Sequence, residues 1–157
     1  MKKSLALAAA LLAICAPLQA APNAASGGSV IDSVSIGDQK SESDHALSGT
    51  NQSGSFNGRT YRDGADIQYT LQLHGAKSAE LAITYWGGDS GRSFEIFANN
   101  TSLATEKLDN SKPDEFFEKK YQIPASVISS ATNGNLVIKL ETREWVVGGI
   151  YELRLVK

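Results

Sequence analysis

The stretch AITYWGGDSGRSFEIFANN, residues 82–100, decides the fold, because its centre reads in two incompatible ways. Gly88-Asp89-Ser90-Gly91 repeats the four letters around the nucleophile of trypsin-like serine proteases, and it is equally a glycine-rich turn between two strands. Catalysis at Ser90 would need a histidine base, an orienting carboxylate and an oxyanion hole. The chain has two histidines, His45 and His74, and neither lies in the Ala-Ala-His-Cys setting that accompanies the protease motif. That motif continues with Gly-Pro, whereas Arg92 follows here. A two-barrel protease also needs roughly 200 residues. The turn reading is the stronger: Gly87, Gly88 and Gly91 offer positive-φ positions for a hairpin loop joining two alternating runs.

Outward from this turn the dominant period is two. LAITYW (81–86) puts Leu81, Ile83 and Tyr85 on one side and Ala82, Thr84 and Trp86 on the other. DIQYTLQL (66–73) sets Ile67, Tyr69, Leu71 and Leu73 against Asp66, Gln68, Thr70 and Gln72. The same alternation places Phe94 with Ile96, Phe117 with Tyr121 and Ile123, Leu136 with Ile138 and Leu140, and Tyr151 with Leu153 and Leu155. SVIDSVSI (29–36) predicts a further strand. Alternation over four to eight residues between Gly, Asn, Asp and Ser clusters marks half-buried antiparallel strands. The one helical turn outside the N-terminal region is PASVISSA (124–131), opened by Pro124. Seven to eight strands with one short helical turn predict an all-β antiparallel β-sandwich over residues 29–157, a single domain.

The N-terminus has its own logic. Lys2 and Lys3 precede an apolar run over residues 4–18, and Ala20 supplies a small residue at a cleavage point. This predicts a secretory signal peptide over residues 1–20, too short to span ~30 Å of hydrocarbon. The expected location is therefore outside the cytoplasm, periplasmic or secreted. APNAASGG (21–28) reads as a flexible linker. The only cysteine, Cys15, falls within the signal segment, so the mature chain carries no disulfide and relies on its core. Removing residues 1–20 leaves 13 basic against 17 acidic residues, a net charge of −4 with no basic run. Nucleic acid and anionic membranes are poor partners for such a surface.

Three loops concentrate chemistry. Around the glycine turn stand Tyr85, Trp86, Asp89 and Arg92; NGRTYRDG (57–64) offers Arg59, Tyr61, Arg62 and Asp63; ETREWVVGG (141–149) offers Arg143, Glu144 and Trp145. Aromatic rings beside carboxylates and guanidinium groups suit sugars, stacking on the apolar ring face while charged groups take the hydroxyls. The candidate ligand-binding residues are thus Tyr61, Arg62, Trp86, Asp89, Arg92, Glu144 and Trp145. The plainer alternative has Trp86 capping the core and Asp89 pairing with Arg92. Asp63 and Asp66 are the candidates for a structural calcium ion; no other cofactor is expected. His45 and His74 lack metal-ligand spacing. Lys119 and Lys120 read as a solvated strand face, and the sequons at Asn51, Asn99 and Asn100 are short enough to arise by chance. Glu95, Glu118, Glu141 and Glu144 are the available carboxylates for a glycosidase pair, which spacing alone does not establish.

TYWGGDSGRSFEIFANN, the later FFEKKYQIP and the terminal GGIYELRLVK together resemble the C-terminal β-sandwich domain, of unassigned function, appended to β-L-arabinofuranosidase-type glycoside hydrolases. The resemblance spans about residues 43–157. More loosely, the chain is similar to galactose-binding-like jelly-roll carbohydrate-binding modules. Both resemblances imply a non-catalytic accessory domain, since the hydrolases' catalytic residues belong to a helical barrel absent from this sequence. Three function classes stay open: a module binding a polysaccharide or sugar, an assembly domain associating with a glycoside hydrolase or with itself, and a small hydrolase. The first predicts an exposed Trp86 or Trp145, the second an apolar patch, the third buried pKa-shifted carboxylates in a cleft.

Overall fold

A computed structural model of the protein describes residues 28–157. The signal peptide expected over 1–20, and the linker apart from Gly28, lie outside the described residues. Two antiparallel sheets face each other. The first holds β1 (Val30–Val34), β2 (Asn51–Phe56), β3 (Arg59–Gly64), β5 (Glu80–Trp86), β8 (Phe116–Gln122) and β10 (Val147–Val156). Its order is β2-β3-β10-β5-β8, with β1 paired to the C-terminal part of β10. The second sheet runs β4 (Asp66–Gln72), β9 (Asn135–Thr142), β6 (Arg92–Ala98) and β7 (Thr101–Leu108).

Alternation explains the core. Ile67, Tyr69 and Leu71 of β4, Phe94 and Ile96 of β6, and Leu136, Ile138 and Leu140 of β9 are fully buried. They meet Leu81, Ile83 and Tyr85 of β5 and Ile150, Leu153 and Leu155 of β10. Each such side chain contributes about 1.5–3 kcal/mol when removed from water. The expected β10 face is corrected at one position. A bulge between Ile150 and Glu152 inserts Tyr151 opposite β5, so Ile150 rather than Tyr151 joins the core. Tyr151 is carried to the outer face.

Three strands escaped the alternation test. β2 and β3 contain almost no aliphatic residues, and β7 is an edge strand with exposed Thr101, Ser102, Thr105 and Lys107. NGRTYRDG is therefore not a loop but a turn and a strand: Asn57 and Gly58 take φ of 46° and 73°, the mirror-image turn that joins paired strands. Helix α1 (Gln39–Asp44) was also unanticipated; Asp38 caps it by accepting from Ser41 N at 2.7 Å. The expected turn near Pro124 is α2 (Ala125–Ser129).

The glycine turn is a turn, but not a hairpin. β5 and β6 belong to different sheets, so residues 87–91 arch from one layer to the other. Only Gly91 uses a positive φ, 65°. Gly87 is required for a different reason: a Cβ there would lie 1.9 Å from the Lys112 carbonyl oxygen. The arch is strapped to the β7–β8 connection by Gly87 N donating to Glu115 O at 2.8 Å and Asn110 N to Asp89 O at 2.7 Å. Ser90 is exposed, and His45 is engaged elsewhere, 2.6 Å from Ser41 O and 3.3 Å from Asp32 Oδ1. No triad forms.

Candidate functional site

Alternation along β5 puts Trp86, its last residue, on the outer face of the first sheet, where an aromatic cluster crosses it. Trp86 pairs across strands with Phe116, their ring centroids 4.9 Å apart. Phe116 lies 4.7 Å from Tyr151, and Tyr151 lies 5.6 Å from Tyr61 of β3. Phe56, the last residue of β2, reaches within 5.1 Å of Trp86 although β3 and β10 stand between their strands. The β2–β3 hairpin thus curls over the sheet. Most pairs are edge-to-face, the arrangement that ring quadrupoles favour. Arg59 covers the Phe116 ring at 4.6 Å.

Between hairpin and arch the cluster encloses a cavity of about 270 Å³. Phe56, Tyr61, Trp86 and Tyr151 supply apolar wall, and Asp63, Asp89 and Arg92 supply polar groups. Phe56 remains 42% exposed, so the cavity is open at that rim, while Tyr151 is 8% exposed at its floor. Asp89 Oδ2 accepts from Gly149 N at 3.1 Å, tying the arch to β10. Burial raises the Asp89 carboxyl above its ordinary range; the Gly149 N–H and Arg92 pull it back, and nearby Asp63 pushes it up again. The Tyr151 hydroxyl is pushed up to about 12, chiefly by burial and then by Asp89. Asp63 Oδ1 and Arg92 Nε are buried with no hydrogen-bond partner among the described residues. A buried polar atom without a partner loses on the order of 1–3 kcal/mol, and both atoms belong to residues whose side chains line this cavity. A larger cleft lies beyond Tyr151, lined by Arg59, Glu152 and Arg154. Its charges pair among themselves and with Glu118.

Of the seven predicted ligand residues, the fold brings four together: Tyr61, Trp86, Asp89 and Arg92. The other three lie elsewhere. Arg62, one residue from Tyr61, points to the opposite side of β3 and grips buried Glu42 of α1 through Nε at 2.9 Å and Nη2 at 2.6 Å. Strand alternation forces that divergence. Glu144 and Trp145 sit on the β9–β10 loop outside the cavity, Trp145 82% exposed. Asp89 and Arg92 do not form an ion pair; Asp89 bonds the Gly149 backbone instead. Asp63 lines the cavity, while Asp66 Oδ1 accepts from Thr50 N at 3.0 Å. No group of three or more His, Cys, Asp or Glu able to hold a metal occurs among the described residues. The glutamates considered as a glycosidase pair are spread among ion pairs: Glu95 with Arg143, Glu118 with Arg154 and Glu141 with Lys139. Sequence reasoning missed Phe56, Phe116 and Tyr151. The Asn57-Gly58 turn signal would have found Phe56 as a hairpin-tip residue; nothing local reveals the bulge behind Tyr151.

The architecture has known counterparts. It is similar to a family 35 carbohydrate-binding module from an environmental isolate, with a TM-score of 0.51 and 22% identity over 71% of this chain and 84% of that one. It is also similar to part of the exo-β-1,3-galactanase Pc1,3Gal43A of Phanerochaete chrysosporium, solved with galactose. There the TM-score is 0.53 and the identity 13%, over 73% of this chain and 28% of that one. The fold is thus the β-sandwich of carbohydrate-binding modules. No curated protein matches the chain in sequence. A family profile matches residues 28–156, and the chain belongs to that family of unknown function, DUF6805.

Proposed function

We propose that this protein is an exported, non-catalytic carbohydrate-binding module that holds a sugar of a polysaccharide in the cavity between the β2–β3 hairpin and the β5–β6 arch. The observation that carries the reading is the meeting of aromatic walls with the polar side chains of Asp63, Asp89 and Arg92 in one small cavity. Aromatic faces take the C–H side of a sugar ring, and polar side chains at the wall take its hydroxyls. The fold is compatible with this role, although sandwiches host many functions. Asp89, a carboxylate with a raised pKa in a cavity, partly meets the criterion for a hydrolase. Its bond to Gly149 N ties the arch to β10, and in this reading Asp89 holds the arch in place.

A glycan array with the purified chain and a Trp86→Ala variant, run with and without chelator, tests the reading. Binding to a polysaccharide that weakens at least tenfold in the variant, unchanged by chelation and without release of reducing ends, is the expected result. Release of reducing ends would make the cavity an active site. Silence across the array from a folded protein would overturn the proposal and favour a second reading, association with a glycoside hydrolase or with another copy of this chain. Trp145, 82% exposed on the β9–β10 loop, is the observation behind that alternative.

A further inference from the structure

We propose, resting on the sugar-binding reading above, that the cavity selects one uncharged sugar ring presenting two adjacent free hydroxyls, one donating to Asp63 and one accepting from Arg92. Size supports a single ring: about 270 Å³ falls just below the ~300–1,000 Å³ range of sites for drug-sized ligands. Charge supports neutrality. Asp63 and Asp89 face one guanidinium, Arg92, so a ligand carboxylate would add a second uncompensated negative charge in a half-buried space. Asp89, whose carboxyl burial already holds above its ordinary range, shows how poorly the cavity supports negative charge. Hydrogen bonding supports the hydroxyl pair. Asp63 supplies acceptor oxygens and Arg92 donor N–H groups at the cavity wall, and the covered Asp63 Oδ1 and Arg92 Nε have no partner among the described residues that would hold either side chain in place. The soft terminal torsion of Asp63 lets either oxygen turn toward a ligand. The two groups come from β3 and β6, in different sheets, and meet only because the arch carries the chain across beside β10. A vicinal diol offers one hydroxyl to each, and a charge-assisted bond on both sides makes the pair selective.

The test is calorimetric and NMR titration of the full chain with galactose, glucose and mannose, each against its uronic acid and its 2,3-di-O-methyl derivative. At least one neutral sugar should bind ten or more times tighter than its uronate, and methylation should remove binding. Asp63→Asn should bring uronate affinity to within about threefold of the neutral sugar, and Arg92→Lys should lose at least fivefold, since an ammonium lacks the guanidinium fork. Thermal unfolding confirms that each variant is folded. A uronate that binds as tightly as its neutral counterpart, or sugar binding lost with Trp86→Ala yet unchanged in Asp63→Asn and Arg92→Lys, would overturn this selectivity and leave the module reading standing. Absence of binding to every sugar and polysaccharide would overturn both.

Discussion

Arg62 stands one residue from a cavity residue, yet its replacement should be felt in stability and not in binding. Glu42 is 4% exposed, and its carboxylate has three partners: the Arg62 guanidinium through two bonds, Gly37 N at 3.0 Å and the Tyr69 hydroxyl at 3.0 Å. Arg62→Met keeps most of the stem and removes the charge, leaving Glu42 buried against a single N–H and a hydroxyl. Breaking a buried ion pair from one side costs about 3–5 kcal/mol, because the surviving charge is uncompensated. For a domain of this size each kcal/mol moves Tm by about 3–4 °C, so Tm should fall by roughly 9–20 °C. Urea unfolding followed by circular dichroism measures the loss. The double variant Glu42→Gln/Arg62→Met should recover more than half of it, since no buried charge remains. At a temperature where both proteins are folded, sugar affinity should be unchanged. A loss below about 1 kcal/mol, or weakened binding with stability intact, would refute this assignment and return Arg62 to the ligand site.

The remaining expectations follow from the same geometry. Gly87→Ala places a methyl 1.9 Å from the Lys112 carbonyl, a backbone atom that cannot step aside; a loss of about 1–3 kcal/mol by denaturant unfolding and weaker sugar binding through a displaced Trp86 are expected. Acid should act on Glu42. Burial alone would raise its carboxyl, but Arg62, Gly37 N–H and the Tyr69 hydroxyl outweigh burial and hold it below 4.5. Its contribution is therefore complete above the unfolded value and disappears as pH falls through the lower folded value. Unfolding curves from pH 7 to pH 3 should show wild type losing more stability than Glu42→Gln. Trp145→Ala, at an 82% exposed position, should change stability by no more than about 0.5 kcal/mol and leave sugar affinity unchanged; a shift in sedimentation coefficient on this substitution would instead mark Trp145 as an assembly contact.

Much of the architecture was legible where side chains alternate between solvent and a shared core. Ile67, Tyr69 and Leu71, or Leu136, Ile138 and Leu140, declare their strands because one face of each is fully buried. The β2–β3 hairpin was not legible in this way, since it buries aromatic surface on the outer face instead of aliphatic side chains in the core. The glycine arch shows the limit differently. Its residue types announce a turn, but whether the chain returns to the same sheet or crosses to the other depends on which strands pair with β5 and β6.

The amino-acid sequence by itself determined the fold class, the turn at Ser90 and the aromatic and charged loop residues, because these depend on local periodicity and residue chemistry. Only the tertiary structure decided which of those residues share a site. Tyr61 and Arg62 are neighbours in the chain and part company because successive strand residues face opposite sides of a sheet. Phe56, Trp86 and Tyr151 are far apart in sequence and converge because the hairpin, the end of β5 and the bulge in β10 each present a side chain on the same outer face. That convergence is a property of strand pairing between distant segments, which no local pattern encodes.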